Sequence, residues 1–325
     1  MEPLLRFLQP ATQPLAPEDG RSRYRGTLLG LAAGNALGCP VEGLTAEQIR
    51  SVMPAGMTEI PAEESGVPWD DDVAQTIELG ESLLGAGVFD PDDYLRRLIR
   101  WMEASGRGIG IQTHRVLSLA RAGGRGSEAA RAIWESSGRR AAGNGAVMRC
   151  APVALRWRRE PTRLIEDAGH SARVTHYDPR CVWSSVAICA AIAHGLAGSH
   201  WTLHELAEGL ERVGAPNEIA QATRRAAVTD LAGLELDEKS SMGYTVRTMT
   251  AGLWAFLNAN EFEEAVRSVV NAGGDTDTNG AVVGAVLGAR FGAAAIPERW
   301  LARLPDRSAL ESLADRLWEA AENPE

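Results

Sequence analysis

"GTLLGLAAGNALG", residues 26–38, sets Gly26, Gly30, Gly34 and Gly38 four apart, and "GAVVGAVLGARFG", residues 280–292, repeats the spacing with Gly280, Gly284, Gly288 and Gly292. In a helix each set lies along one face. Glycine inside a helix costs about 0.8–1 kcal/mol against alanine, so four in register need a compensating contact. The simplest is close approach of two helix backbones. Neither stretch is long enough to span a bilayer, so a membrane reading of the spacing fails. The pattern predicts that the two helices meet in the core, or that each crosses another helix tightly. If they meet, segments some 250 residues apart come together, with the groups at their ends.

From Tyr24 onward the apolar residues recur mostly at helical spacing. "YLRRLIRWMEA", "TLHELAEGLERV", "IAQATRRAAV" and "LADRLWEAAE" all read as amphipathic helices. Few segments alternate like strands. Residues 1–20 carry Pro3, Pro10, Pro14 and Pro17 without clean periodicity and are expected to form a loosely packed N-terminal extension. Residues 21–325 are expected to form one compact, all-α domain.

The formal net charge is −10, which argues against general nucleic-acid binding. No basic start leads into an apolar run, and no stretch of about 18 apolar residues is apparent. A cytoplasmic protein without a membrane partner is the expectation. Cys39, Cys150, Cys181 and Cys189 form no CxxC pair and follow no zinc spacing. They read as reduced thiols without a redox role.

Two acidic motifs carry the chemistry. "PWDDDVAQTIELGESLL", residues 68–84, puts Asp70, Asp71 and Asp72 at the mouth of an apolar helix, and "NAGGDTDTNG", residues 271–280, puts Asp275 and Asp277 before the second glycine helix. Aspartates cap helix N-termini, which accounts for one or two of the triplet. Three adjacent carboxylates and a second doublet point instead to bound cations. Carboxylates with Thr278, and no paired His or Cys nearby in sequence, select a hard ion, Mg²⁺ or Mn²⁺, over zinc. Such motifs can hold two ions about 3.5–4 Å apart and activate water. Metal-assisted hydrolysis is the reaction class; these residues do not name the bond. Isoprenoid synthases also use Asp-rich helix ends, but "GGDTDTN" lacks their second metal pattern, and aromatic residues make up only 6%.

Five motifs in order, "GTLLGLAAGNALGCPVEG", "WDDDVAQTIELGESLL", "GNGAVMRCAPVAL", "THYDP" and "GGDTDTNGAVVGAVLGARFG", resemble the ADP-ribosylglycohydrolase family over about residues 22–295. The resemblance implies two Mg²⁺ or Mn²⁺ ions and cleavage between the distal ribose of ADP-ribose and its acceptor. By position, Asp70, Asp71, Asp72, Asp275, Asp277 and Thr278 become the metal ligands, with Asp277 bridging. Glu42 and Asp72 become the candidates for moving the proton. Gly110, Gly143, Asn144, Gly145, Arg149 and His176 become the substrate-binding residues. The implied partner is an ADP-ribosylated protein, arginine first, or a small-molecule conjugate.

The sequence departs from the family pattern at several positions. Asp70 and Val73 stand where the motif usually has threonines, Asn35 where aspartate is frequent, and Ala141 and Ala142 where polar or aromatic residues often sit. An extra charge at Asp70 should tighten cation binding, and the alanines remove side chains that would touch a nucleotide. Family membership therefore leaves the substrate open. A different ADP-ribosyl or ribosyl conjugate and a catalytically silent relative are the alternatives.

Overall fold

The computed structural model describes residues 1–85, 88–123 and 126–322; residues 323–325 of the expected domain lie outside them. Among the described residues there are seventeen α-helices and no strand. The first eight are α1 (Glu2–Leu8), α2 (Pro17–Gly38), α3 (Ala46–Val52), α4 (Asp71–Gly85), α5 (Pro91–Ala104), α6 (Ile111–Arg121), α7 (Gly126–Ser136) and α8 (Ala151–Trp157). Next come α9 (Pro161–Arg173), α10 (Pro179–Ala197), α11 (Leu203–Arg212), α12 (Asn217–Ala226), α13 (Thr245–Asn258) and α14 (Phe262–Asn271). The chain ends with α15 (Thr276–Phe291), α16 (Glu298–Leu301) and α17 (Arg307–Glu322).

The two glycine helices meet. They run antiparallel, so that Gly26 faces Gly288, Gly30 faces Gly284 and Gly34 faces Gly280. A Cβ at Gly284 would stand 1.9 Å from the Gly30 carbonyl oxygen, and one at Gly34 would stand 2.0 Å from that of Gly280. No side chain fits between α2 and α15, which explains the cost of glycine at these positions. The register continues past the helices. Thr276 Oγ1 donates to the Gly38 carbonyl at 2.8 Å, Gly43 N to that of Gly274, and Gly274 N to that of Leu44. The segment carrying Glu42 is thereby tied to the turn carrying Asp275.

The α2–α15 pair is covered on every side. α10, α13 and α14 pack on α15, and α17 packs on α2. Gly20 makes room for the Trp318 indole, 2.2 Å from its missing Cβ, and Arg25 grips Asp315 through two hydrogen bonds of 2.8 and 2.6 Å. Contrary to the sequence expectation, α10 is long and apolar enough to cross a membrane, with mean hydropathy 1.4. Of that stretch 83% is buried inside the protein, and its apolar character is that of a central core helix.

Residues 1–20 also differ from expectation. They are not loosely packed: α1 lies on α11, and Leu4, Leu8 and Ala11 are buried. Arg158, itself buried, donates to the carbonyls of Ala11 and Gln13 at 3.0 and 2.6 Å. α2 begins at Pro17, so the expected boundary at residue 20 falls inside a helix. Pro3, Pro10 and Pro17 sit where proline is tolerated, in first turns, Pro14 lies in the loop before α2, and the segment is too short for a visible period.

Candidate metal centre

Asp71 and Asp72 occupy the first turn of α4, with Asp70 just before it. Asp275 is the N-cap residue of α15 and Asp277 lies in its first turn. The glycine ridge sets the end of α2 against the start of α15, so the motifs converge. Two groups of ligand atoms, each mutually within 4.8 Å, are Cys39, Asp70 and Asp277, and Glu42, Asp275 and Asp277. Asp277 belongs to both. A third group is Asp70, Asp71 and Asp72.

Capping does not explain these side chains. Asp275 makes no side-chain cap bond; its Oδ2 accepts from Asn144 Nδ2 at 2.8 Å. Asp72 Oδ2 accepts from the Thr278 hydroxyl at 3.4 Å, while Asp72 Oδ1 and Asp277 Oδ1 are buried without a partner. A buried carboxylate oxygen left unpaired is expensive. Burial and the neighbouring aspartates push the carboxyl groups of Asp71, Asp72 and Asp277 well above the usual range. Partial burial, then Asp275 and Asp70, also raise Glu42. Orphaned acceptors, all-oxygen donors and one carboxylate common to two groups fit divalent cations.

A layer behind the aspartates orients them. Gln75, one helical turn after Asp71, donates to Asp71 Oδ2 at 3.3 Å. Arg149 donates to Gln75 Oε1 and, at 2.6 Å, to Thr175 Oγ1. Arg149 can only donate, so the Thr175 proton is free for His176 Nδ1, 2.8 Å away. A His176 that accepts this proton is the neutral imidazole with its own proton on Nε2. Burial, and then Arg149, hold its imidazole down at about 3.

Several of the expected substrate contacts lie in or beside this layer. Arg149 is 1% exposed and lies behind Asp71, hydrogen-bonded to Gln75 and Thr175. His176 is buried beneath the glycine turn, its Cε1 2.8 Å from where a Gly145 Cβ would stand. The Asn144 amide is committed to Asp275 and to Thr248 Oγ1, at 3.1 Å. Gly143 and Gly145 keep partly exposed backbone at the turn. Gly110 is the N-cap residue of α6 and borders open space.

Gly108, not Gly110, approaches the aspartates. It has φ +76°, and a Cβ there would stand 2.0 Å from Asp70 Oδ1 and 2.8 Å from Asp71 Oδ1. Gln75 was legible as the residue four after Asp71. Cys39 and Gly108 carry no such local signal, because only the fold brings them to the carboxylates.

Residues 16–325 match the sequence profile of the ADP-ribosylglycohydrolase family. An ADP-ribosylarginine hydrolase of Pseudomonas putida is 27% identical, across 97% of this chain and 83% of its own length. An ADP-ribosyl-dinitrogen-reductase glycohydrolase of Rhodospirillum rubrum is 30% identical, across 87% of this chain and 90% of its own. The solved structure of an ADP-ribosylglycohydrolase-related protein complex superposes with a TM-score of 0.75 at 32% identity, covering 94% of this chain and 99% of that one. With its all-α fold and acidic centre matching the sequence profile over nearly its whole length, this chain belongs to the ADP-ribosylglycohydrolase family.

Proposed function

We infer that this protein is an ADP-ribosyl hydrolase that works with two divalent cations, Mg²⁺ or Mn²⁺, and that ADP-ribosylated arginine is the first acceptor to test. The observation that carries this reading is Asp277, common to two ligand groups and buried with one oxygen unpartnered. The arginine acceptor rests on the named activity of the Pseudomonas relative. An ADP-ribosylated protein in the cytoplasm is the partner proposed.

When bound, the cations would supply Lewis-acid activation of water and a grip on ribose hydroxyls. Asp70, Asp71, Asp72, Asp275, Asp277 and Thr278 are the groups that would hold them. Asp72 is fully buried, which suits holding more than proton exchange. Glu42 is exposed, and partial burial with Asp275 and Asp70 raises its carboxyl. A carboxyl raised from its ordinary value at the open rim suits transfer of a proton as the glycosidic bond breaks. The partly exposed Gly143 and Gly145 offer backbone without side-chain bulk, which suits a sugar lying beside the carboxylates.

A second reading keeps the chemistry and changes the acceptor. Ala141 and Ala142 reduce the wall before the glycine turn to methyl groups, and Asp70 adds a charge to the centre. Both favour a different ADP-ribosyl or ribosyl conjugate.

The test is a panel of ADP-ribosylated arginine, ADP-ribosylated serine and small-molecule conjugates, scored for free ADP-ribose with Mg²⁺, with Mn²⁺ and with chelator. Cation-dependent release from arginine supports the first reading, and release only from another conjugate supports the second. Cation binding without turnover on any member overturns the hydrolase assignment and leaves a silent binding protein.

A further inference from the structure

Cys39 closes α2 and is the one thiol at the acidic centre. Its Sγ donates to Asp70 Oδ2 at 3.2 Å. The sulfur and carboxylate oxygens of Asp70 and Asp277 lie mutually within 4.8 Å, a spacing that an ion in the middle can bridge. Independently of the cysteine, Asp277 is 5% exposed and its Oδ1 has no hydrogen-bond partner. Because Asp277 belongs to this group of ligand atoms, its orphaned acceptor is the second sign of a ligand at the centre. The other three cysteines are buried and belong to none of these ligand groups among the described residues.

We propose that Cys39, Asp70 and Asp277 form a mixed sulfur–oxygen position that accepts a thiophilic divalent cation, of the Co²⁺, Zn²⁺ or Cd²⁺ kind. The proposal rests on the reading of the acidic groups as a metal centre and specifies what one corner of it selects. Oxygen-only ligands favour hard ions, whereas a thiolate shifts preference toward softer ones. Binding replaces the thiol proton by the metal, so one proton passes to solvent for each ion bound there. The Glu42, Asp275 and Asp277 group contains oxygen alone and keeps its preference for Mg²⁺ or Mn²⁺. The protein then has two unlike halves joined by Asp277. In a medium containing Zn²⁺, the Cys39 corner is where the ion exchanges.

The experiment titrates the full-length, metal-free protein with Co²⁺, following the near-ultraviolet thiolate-to-cobalt charge-transfer band, and in parallel with Mn²⁺ by calorimetry. The expected result is a charge-transfer band in the native protein that is absent from Cys39→Ser. Cys39→Ser should lose at least about tenfold in Cd²⁺ affinity, while Mn²⁺ affinity changes little. Cd²⁺ titration of the native protein gives a reading that needs no variant. Cys39 is only partly buried while Cys150, Cys181 and Cys189 are buried, so an ultraviolet cadmium–thiolate band reports on Cys39. Mn²⁺ and Co²⁺ binding with no thiolate band from either Co²⁺ or Cd²⁺ overturns the proposal and leaves Cys39 as a hydrogen-bond donor to Asp70. Absence of binding by every cation overturns the metal centre itself.

Discussion

Asp277 is the residue on which the centre turns, and its energetics can be tested without a substrate. Burial and neighbouring carboxylates raise its carboxyl above the ordinary value of 3.8. A group raised on folding stabilises the native state below its unfolded value and loses that contribution as pH rises through its folded one. At neutral pH the metal-free centre therefore works against folding, and bound cations reverse the sign. In chelator, Asp277→Asn should melt above the native protein. With Mn²⁺ the order should invert, because the variant loses about 100-fold or more in cation affinity. Melting curves with and without Mn²⁺ check both halves, and an unchanged order would reject Asp277 as a ligand. Arg149→Met probes the layer behind. Freed from Arg149, Gln75 holds Asp71 less firmly, and Mn²⁺ affinity should fall by about 10–100-fold without any contact to substrate. Calorimetry measures it, and an unaltered isotherm would return Arg149 to the role of phosphate contact.

At the level of elements, the α2–α15 pair and the turns leading from it decide where the carboxylates stand. Gly284→Ala gains about 1 kcal/mol of helix propensity but sets a Cβ 1.9 Å from the Gly30 carbonyl oxygen. Forcing the backbones apart should cost about 3 kcal/mol or more and leave the variant clearly less stable on urea denaturation. A wild-type midpoint would mean that the helices do not touch. Gly110→Ser is the contrasting substitution. Gly110 is an N-cap residue beside open space, so serine should add a few tenths of a kcal/mol and leave turnover intact. Loss of turnover at equal stability would restore Gly110 to the binding site. The helix pair and the triplet were legible because glycine period and adjacent charge are local patterns. Which of Gly106, Gly108 and Gly110 approaches Asp70 was not, since it depends on where α6 is carried by α5 and α7.

Across the whole molecule, the buried histidine under the glycine turn makes acid stability a readout of packing. His176 is held down at about 3 in the folded protein against an ordinary 6.5. The unfolded chain therefore takes up the proton first as pH falls below 6.5, and stability is lost progressively down to about 3, being fully present above 6.5. At pH 5 this amounts to ~2 kcal/mol. In chelator, the stability difference between the native protein and His176→Gln, followed from pH 7 to pH 5, should shift by about that amount in favour of the variant. Subtracting the two proteins cancels the opposite contribution of the aspartates. A difference independent of pH would mean that His176 titrates normally and is accessible.

By itself the sequence determined the all-α class, the close helix crossing that two glycine faces demand and the set of carboxylates that could meet a cation. Each of these follows from a period or a spacing along the chain. Tertiary structure alone decided that Leu4, Leu8 and Ala11 join the core, that α10 is a buried helix and that Arg149 and the Asn144 amide are hydrogen-bonded within the protein while His176 is buried. It also decided that Cys39 and Gly108 border Asp70. The physical reason is the same in every case: burial and hydrogen-bond partnership are set by what the other helices bring to a residue. A side chain that reads as a ligand contact in one dimension becomes a buttress when a neighbouring helix takes its hydrogen bonds.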